Sequence, residues 1–500
     1  MYEPDCRLSD NREEYRHMMP LFDTDVQELK YKVLKEVAKL AFEDGLTPEN
    51  ILNIAEDIIP DGEPTMRCCI YKERAIINQR VQLALGGNPN DKNIVEVLPI
   101  ACDECPVEGI TVSQACRGCI AHRCMNACPK KAITIIQRRA VIDKDKCVEC
   151  GLCAQACSYG AIVKHTRPCI SACKLNAISI NKKNRKAEIS SEKCISCGAC
   201  VYQCPFGAIS DKSFITNVVK MLRESENNKK YRVYAVVAPS VAAQYADIST
   251  EQVMEGITKL GFYYVEEAAW GADAVAYSEA KELIEKKFLT SSCCPAFVTY
   301  IKKNFPTLVD NISHNLSPMA TMAQMIKKRD PNAKVVFIGP CIAKKGEALY
   351  TRASEYVDIT ITFEEMQALF DARDIDLSAL KGVTLDKASS YGRGFGRCGG
   401  LAGAVEQVLK ELDVPEEEFK LQAVSCSGIA DCKAALTKAS KGVLKENFIE
   451  GMACENGCIG GPACLSHGAR NRLQFKKYEN LDTAKTISDA IGSFWEGHEE

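Results

Sequence analysis

Apolar residues recur at helical spacing through the first hundred residues of the chain. One stripe predicts an amphipathic helix: Val26, Leu29, Val33, Val37 and Leu40. Thr47-Pro48 is typical of an N-cap followed by a first-turn proline, and a further helix over 71–85 should end at Gly86-Gly87. We therefore expect residues 1–100 to form a helical N-terminal region, in which no motif indicates a chemistry.

The pattern changes near residue 213. Phe214, Val218 and Met221 form a short apolar helix stripe, and residues 223–230 that follow are all polar. A connector over 213–230 is therefore predicted, with a domain boundary inside it.

From 231 to 500, short apolar runs alternate with amphipathic segments, which is typical of an α/β domain. Strands are predicted at Val233–Val237, Lys334–Ile338 and Phe288-Leu289. Functional groups in such domains usually sit on the loops at the ends of the strands. The expected fold class is thus a mixed α+β and α/β multidomain protein.

The composition is ordinary except for its cysteines. A length of 500 residues suggests two to four domains, and a net charge of −3 gives no electrostatic case for nucleic-acid binding. No apolar run approaches the ~18 residues that span a bilayer, and the polar N-terminus does not resemble a signal peptide. In a cytoplasmic chain of this kind, the 28 cysteines should hold metal rather than form disulfides.

An internal repeat occupies residues 101–212. Four segments each place three residues between a cysteine and an Ala-Ile pair, at which a short β-segment should begin. The first cysteines of these segments are Cys128, Cys157, Cys173 and Cys204. Two cysteine runs have the spacing CxxCxxCxxxC, and a third is looser: Cys147, Cys150, Cys153 and Cys157; Cys194, Cys197, Cys200 and Cys204; and Cys116, Cys119, Cys124 and Cys128. Each segment resembles one half of a bacterial ferredoxin. In such proteins three thiolates of a run ligate one cubane and the fourth ligates the neighbouring cubane.

The simplest assignment crosses the runs to give up to four [4Fe–4S] clusters. The sets are Cys116, Cys119, Cys124 and Cys157; Cys147, Cys150, Cys153 and Cys128; Cys173, Cys194, Cys197 and Cys200; and, as the least constrained group, Cys102, Cys105, Cys169 and Cys204. An alternative pairs the two regular runs with each other across the insertion 158–193. Two to four clusters are therefore expected in this region.

A late stretch, Glu450 to Gly461, organises the rest of the chain. If this stretch is helical, Cys454 and Cys458 lie on the same face of the helix and can both ligate one soft metal centre. Two buried cysteines on a glycine-rich turn would explain this stretch equally well. Two further stretches shift the balance toward a metal site, one at Ser291–Pro295 and the other at Gly339–Glu347.

Together and in this order, the three stretches resemble the signature sequences of [FeFe]-hydrogenases. The resemblance implies a two-lobed α/β catalytic domain over 231–500. It also implies an H-cluster, in which a [4Fe–4S] cubane is joined to a two-iron subsite carrying CO, cyanide and a dithiolate. The residues that match the cubane ligands are Cys294, Cys341, Cys454 and Cys458, the last of which bridges to the subsite. Separate maturation enzymes would build the subsite.

The same resemblance implies a proton path. Cys293, beside ligand Cys294, matches the family's proton-delivering thiol, and Glu279, Glu282 and Ser313 match its relay groups. Hydrogen chemistry at buried iron needs such carriers within hydrogen-bond reach. A spare buried cysteine and a solvated helix face are the plainer interpretations of the same residues.

Other positions match residues around the two-iron subsite. Lys344 resembles the lysine that hydrogen-bonds a cyanide ligand, whereas the neighbouring Lys345 is expected to be exposed. The loop Ala238, Pro239 and Ser240 resembles a wall of the dithiolate pocket, and Met452 a methionine that packs on the subsite. Glu347 resembles a structural glutamate of the second signature.

The chain departs from the usual signatures in a way that resembles the family's less studied monomeric group B. Phe297 replaces a tryptophan, and Gly339 replaces a methionine before Pro-Cys, which predicts a more open subsite wall. The other cysteines have no ligand spacing and are expected to pack: Cys68, Cys69, Cys398, Cys426, Cys432 and Cys464.

The resemblance implies a cytoplasmic, monomeric ferredoxin hydrogenase that binds neither nucleic acid nor membrane. It would catalyse 2H⁺ + 2e⁻ ⇌ H₂ with electrons from a ferredoxin or a similar low-potential carrier. A hydrogen or redox sensor on the same scaffold, a hydrogenase-like iron–sulfur assembly factor, and a polyferredoxin carrier are the alternatives. The sensor and the assembly factor usually lack parts of the Cys293 relay, and the carrier leaves the three late stretches unexplained.

Overall fold

The computed structural model describes residues 22–105, 109–481 and 486–496. The part of the predicted N-terminal region that falls on residues 1–21 lies outside the described residues. No described helix is both long enough and apolar enough to cross a bilayer.

Helices and strands alternate in an order that changes from one region to the next. The helices are α1 Asp25–Phe42, α2 Pro48–Ile58, α3 Ile70–Ala84, α4 Arg123–Asn126, α5 Leu152–Ala156, α6 Pro168–Ala172, α7 Ala199–Tyr202, α8 Ile215–Glu224, α9 Thr250–Lys259, α10 Ala268–Lys286, α11 Pro295–Asn304, α12 Pro318–Arg329, α13 Ile342–Tyr350, α14 Phe363–Ala372, α15 Ser390–Gly394, α16 Gly400–Glu411, α17 Ile429–Ser440, α18 Ala469–Glu479 and α19 Ile487–Glu496. The strands are β1 Val95–Val97, β2 Gly109–Val112, β3 Ile133–Ile136, β4 Arg139–Ile142, β5 Ile162–His165, β6 Ile178–Ile180, β7 Ala187–Ile189, β8 Ile209–Asp211, β9 Val233–Val237, β10 Tyr264–Glu267, β11 Leu289–Thr290, β12 Lys334–Gly339, β13 Ile359–Thr362, β14 Ala423–Ser427 and β15 Phe448–Met452.

The N-terminal helices share a core with the C-terminal part of the chain. The Thr47 hydroxyl caps α2 by accepting a hydrogen bond from Asn50 N at 3.2 Å, as the Thr-Pro pair predicts. Tyr31 and Val37 of α1 are fully buried in the cluster that also contains Val237 of β9. The apolar stripe of α1 thus packs onto the neighbouring helices α8 and α14.

Residues 109–165, here called the outer module, form two antiparallel strand pairs. β2 pairs with β5 and β3 pairs with β4, and the isoleucine of each predicted Ala-Ile pair begins β3 or β5. Ile110, Ile133 and Ile162 lie with the cysteines in a core that is separate from the rest of the chain.

Residues 166–211, here called the inner module, repeat this plan in a different setting. β6 pairs with β7, but β8 pairs with β1 from the N-terminal region. The core of the inner module includes Ile342 and Ala463 from the C-terminal domain. This module is therefore packed between two other parts of the protein.

The C-terminal domain contains two parallel sheets, which confirms the expected two-lobed α/β fold. One sheet has the order β10-β9-β12-β13 and the other has the order β11-β15-β14. The carboxyl ends of β9, β12, β11 and β15 lead into the four stretches that resemble an H-cluster site. Helix α10 packs against α12 and against α16, and so lies between the lobes.

The helix considered for Glu450 to Gly461 is not formed. β15 ends at Met452 and a 3₁₀ turn covers Gly457–Gly460. Glu450 and Gly451 belong to β15, which is the central strand of its sheet and pairs with a strand on each side. These residues are therefore part of the sheet and not of a helix.

Candidate active site

The four cysteines of the late stretches come together between the lobes. Cys294 and Cys341 are the N-cap residues of α11 and α13, so that both sulfurs lie at helix N-termini, where negative charge is favoured. Burial raises the pKa of Cys458 to about 11, and the charge of Cys294 adds to this effect. The pKa of Cys454 is raised by burial and then by Cys341, Cys294 and Cys458. A cation-bearing cluster would keep these crowded thiols deprotonated.

The described residues contain no group of three His, Cys, Asp or Glu side chains suited to a single metal ion. A cubane differs from a single ion because its ligands attach to separate corners and therefore stand further apart. The cysteine sets are thus assessed as cluster sites.

Cys293 precedes Cys294 in the chain, and the charges of Cys294, Cys458 and Glu279 all act on its thiol. The pKa of the Cys293 thiol lies well above its ordinary value, because of burial and then because of the charge on Glu279. Glu279, on α10, is fully buried, and its Oε1 accepts hydrogen bonds from Ser292 N at 3.1 Å and Ser292 Oγ at 3.0 Å. Burial raises the pKa of Glu279 to about 7, although the Ser292 and Ser313 hydroxyls lower it. Its second oxygen makes no hydrogen bond.

The polar path continues from Glu279 to the surface. Ser313 Oγ donates to Glu282 Oε2 at 3.1 Å, and Glu282 lies one helical turn beyond Glu279 on α10. The next group is His314, whose Nδ1 is 2.7 Å from Glu282 Oε1. Relative exposure rises from 0% at Glu279 to 13% for the Glu282 side chain and 73% for that of His314. These groups therefore form a path of rising exposure from Glu279, whose charge acts on the Cys293 thiol, to solvent.

Sequence reasoning missed His314 and Ser292. Each lies next to a predicted site residue, but sequence adjacency does not reveal the direction of a side chain. Lys286 also escaped notice, although it lies four residues after Glu282, and its Nζ is 2.9 Å from Glu282 Oε1.

Two buried polar atoms beside the cysteines have no hydrogen-bond partner. Lys344 Nζ is 2.7 Å from Glu347 Oε2, but this ion pair does not have hydrogen-bond geometry. Burial lowers the pKa of Lys344, but Glu347 and Cys341 outweigh burial and raise it overall. Ser240 Oγ is fully buried and also lacks a partner. A buried ammonium and a buried hydroxyl left in this way fit a site that receives a polar, anionic group.

The pocket wall differs from the prediction at Gly339. A Cβ added there would lie 2.8 Å from the Phe337 ring and 3.0 Å from Ala238 Cβ. Phe337 thus occupies the space at this position, and the expected opening is not found there. Phe297 is fully buried against Gly451, and Met452 is 3% exposed at the end of β15.

The prediction that Lys345 is exposed is wrong. Its side chain is fully buried, with Nζ 2.8 Å from Asp211 Oδ2 and 2.8 Å from Glu365 Oε2. Lys30 of α1 also reaches Asp211, at 2.6 Å. This network ties the N-terminal helices and the inner module to the helix that carries Lys344.

In the outer module the structure brings together two of the predicted cysteine sets. One cavity is lined by Cys116, Cys119, Cys124 and Cys157. A second is lined by Cys128, Cys147, Cys150 and Cys153. Cys119 and Cys150 are exposed, so both sites reach the surface.

In the inner module, Cys173, Cys194, Cys197 and Cys200 line a cavity that extends to Cys454 of the catalytic set. A Cβ on Gly198 would lie 2.5 Å from Pro462 and 2.7 Å from Ile342, so only glycine permits this close approach. The alternative pairing of the two regular runs is not the arrangement found, because those runs line different cavities.

The least constrained predicted set is also brought together. Burial, together with the charges of Cys204, Cys105 and Cys102, raises the pKa of Cys169 to about 11. All four therefore lie close to one another, in the core beneath β1 and β8.

The remaining cysteines differ in their surroundings. Cys426, Cys432 and Cys464 are buried, as expected for packing. Cys398 is only partly buried and Cys68 is exposed, so the expectation of packing is wrong for Cys68.

Comparison with known proteins places these features in a family. Residues 231–462 match the family "Iron only hydrogenase large subunit, C-terminal domain". Residues 115–161 and 164–208 each match the family "4Fe-4S dicluster domain". Residues 231–462 are therefore similar to the C-terminal domain of iron-only hydrogenases, and the region before them is similar to iron–sulfur dicluster domains.

Its relatives include hydrogenases and assembly factors. The chain is 27% identical to Iron hydrogenase 1 of Clostridium pasteurianum over 73% of this chain and 71% of that protein. It is 28% identical to the periplasmic [Fe] hydrogenase large subunit of Nitratidesulfovibrio vulgaris, over 70% and 92% of the two chains. It is 29% identical to the cytosolic Fe-S cluster assembly factor NAR1 of Eremothecium gossypii over 27% of this chain and 32% of that protein. A solved structure reporting stepwise [FeFe]-hydrogenase H-cluster assembly overlaps 56% of this chain and 94% of its own, at 22% identity and a TM-score of 0.47.

Proposed function

We propose that the protein catalyses 2H⁺ + 2e⁻ ⇌ H₂ at an H-cluster ligated by Cys294, Cys341, Cys454 and Cys458. The observation that carries the proposal is the polar path of rising exposure that starts at Glu279, whose charge acts on the Cys293 thiol, and ends at an exposed histidine. A core cysteine with no function would need no such path. The bound two-iron subsite would supply the redox centre at which protons and electrons combine.

The side chains around the site have defined tasks in this proposal. The Cys293 thiol stays protonated and donates H⁺ toward the subsite, and Glu279 returns a proton to it. Glu279 suits both directions because a carboxyl with a pKa of about 7 is divided between its two forms near neutral pH. Glu282 and His314 exchange protons with water. Lys344 would hold an anionic ligand of the subsite, and Ser240 and Met452 would line its pocket.

Electrons reach the site through the cysteine sets of the two modules. The cavity shared by the Cys173 set and Cys454 supports transfer from the inner module to the catalytic cubane. In this proposal, a ferredoxin-like carrier delivers electrons at the outer module, whose Cys119 and Cys150 are exposed. The module has nine Lys and Arg against three Asp and Glu, a charge of +6 that two bound clusters, each −2 with its four thiolates, would reduce to about +2; a positive surface favours an acidic carrier. Raising the salt concentration should then slow reduction by such a carrier.

A second candidate is an iron–sulfur assembly factor, which the match to NAR1 proteins favours. An infrared spectrum of the matured protein tests this alternative directly. Bands from metal-bound CO and cyanide are expected for a hydrogenase, and their absence would support the assembly factor. Such bands without hydrogen turnover would instead indicate a sensor.

The enzyme proposal is tested by hydrogen evolution with reduced viologen. Cys293→Ala and Glu279→Gln should each lower turnover by roughly 10²–10⁴-fold, the usual contribution of a proton-transfer group, and leave the infrared bands in place. Glu285→Gln is the matched control, because Glu285 is exposed on the same helix and outside the path. Full activity in both relay variants would refute the proton path.

A further inference from the structure

Two buried arginines lie at the fourth cysteine set, and they contact backbone rather than carboxylates. Arg80 and Arg167 are each 4% exposed. Arg80 Nη2 donates to Gly207 O at 2.9 Å, and Arg167 Nη2 donates to Arg185 O at 2.9 Å. The Nε of each makes no hydrogen bond, and within the described ranges no carboxylate is close enough for an ion pair with either. A buried cation in this position costs several kcal/mol unless an anion faces it.

The nearest candidate anion is a cysteine sulfur. Arg167 Nη1 lies 3.7 Å from Cys102 Sγ, which also accepts a hydrogen bond from Ala187 N at 3.4 Å. Burial lowers the pKa of Arg80 to about 10, and the nearby charge of Cys204 partly opposes this effect. Arg167 therefore contacts a cysteine of this set, and Arg80 is bonded to the backbone three residues after another, Cys204.

The position of Arg80 depends on a glycine that has a counterpart in the outer module. Gly207 and Gly160 each follow a repeat cysteine by three residues and have φ of +55° and +59°. A Cβ on Gly207 would lie 2.1 Å from Arg80 Nη2, whereas a Cβ on Gly160 would meet nothing within 4 Å. The repeat thus provides the glycine in both modules, but only the inner module uses it to admit a cation.

Apart from these two arginines, the cations described here near the inner-module cysteine sets are neutralised or exposed. Arg67 lies 3.5 Å from Asp103 and 3.4 Å from Glu104. Lys303, beside the Cys173 set, is exposed and donates to the carbonyl of Cys194 at 2.8 Å. Among the described residues of the inner module, the buried positive charge without a carboxylate partner is therefore found at the fourth set.

The matched dicluster segment 164–208 contains only six cysteines, so two of the ligands needed for a second cluster must come from outside it. We propose that Cys102, Cys105, Cys169 and Cys204 hold a [4Fe–4S] cluster, and that Arg80 and Arg167 make it the higher-potential cluster of the inner module. Cations this close stabilise the more negative, reduced cluster over the oxidised one. The step is [4Fe–4S]²⁺ + e⁻ → [4Fe–4S]⁺. The electron comes from the low-potential carrier, and no proton moves because the guanidinium groups stay charged. This inference deepens the proposed electron relay by giving it a site that stores an electron beside the catalytic path.

The test is a redox titration in which electron paramagnetic resonance measures how much of each cluster is reduced. The sample is full-length protein that is made without maturation enzymes and loaded with [4Fe–4S] clusters. At a fixed potential, Arg167→Gln and Arg80→Gln should each lower the reduced-to-oxidised ratio of one cluster about tenfold, which is ~59 mV for one electron. Arg167→Lys keeps a charge and should restore most of the wild-type potential. Lys182→Gln removes an exposed cation from the same module and should shift nothing.

Iron and sulfide analysis tests the ligand set. Cys105→Ala should remove the iron of one cluster together with the resonance that responds to Arg167. Unchanged iron in Cys105→Ala, or unchanged potentials in both arginine variants at full iron content, would overturn the inference. Because these readouts need no hydrogen turnover, they would still stand if the proposed hydrogenase activity failed.

Discussion

The outer and inner modules are built from one repeat but differ in what surrounds it. In both, a backbone amide four residues after a repeat cysteine donates to its sulfur, as from Ala132 to Cys128 and from Ala208 to Cys204, each at 3.3 Å. The outer module buries its cysteines only in its own small core and exposes Cys119 and Cys150. The inner module shares its core with the C-terminal domain and with β1. The repeat therefore sets the local ligand geometry, and the packing around it decides what each site can do.

The largest difference is expected when one cysteine is removed from each module. Cys197→Ala should abolish hydrogen evolution with every electron donor, because the cavity beside Cys454 would lose its cluster. Cys150→Ala should slow evolution driven by a ferredoxin and leave evolution driven by viologen nearly intact. Rates with the two donors, normalised to infrared-active protein, make the comparison. Equal losses with both donors in both variants would mean that the modules do not act in series.

Removing a buried cation should come next. Lys345→Met would leave Asp211 and Glu365 without their shared ammonium, and we expect a loss of about 3–5 kcal/mol in the free energy of unfolding. Lys146→Met breaks the exposed outer-module pair with Asp143 and should have no measurable effect. Urea unfolding of both variants, with iron content fixed, measures this difference. A mild effect of Lys345→Met would show that the network does not dock the inner module.

The paired glycines should give a smaller difference. Alanine at Gly160 or Gly207 costs about 1–2 kcal/mol because of the left-handed backbone. Gly207→Ala should cost about 1–3 kcal/mol more, since its Cβ would collide with Arg80 and with Val26 Cγ1 at 2.6 Å. Thermal unfolding of the two variants measures the difference. Equal losses would indicate that Arg80 moves aside freely.

The smallest expected effect is a dependence of the hydrogenase rates on pH. It compares buried Glu279 with the more exposed Glu282 in the proton path. Hydrogen evolution limited by proton delivery should fall as pH rises through about 7, because buried Glu279 then loses its proton. Hydrogen oxidation should fall below that pH, because the carboxyl can no longer accept one. For Glu282, burial raises the pKa but hydrogen bonds from Lys286 and His314 outweigh it and lower it overall, so Glu282→Gln should leave this inflection in place. If the plots of rate against pH show no inflection near pH 7, proton transfer through Glu279 does not limit the rate.

Sequence reasoning predicted a large part of this architecture. The stripe from Val26 to Leu40 predicted α1, and the Ala-Ile pairs predicted where the short strands begin, because periodicity and turn chemistry act over a few residues. It failed where a residue's environment comes from distant segments. Lys345 resembles a surface lysine in its own helix, but Asp211 and Glu365 surround it. Gly339 suggested an open wall, but Phe337 fills the space.

The sequence by itself determined the family, the cysteine spacing and the alternation of strands and helices, because each of these is written in short local patterns. Only the tertiary structure decided which cysteines share a cavity, where the path from Glu279 reaches water, and which cations are buried. These outcomes depend on side chains that are distant in the chain, such as Lys30 and Glu364, which are 334 positions apart. Their contact is created by the folding of the whole chain, and no local pattern encodes it.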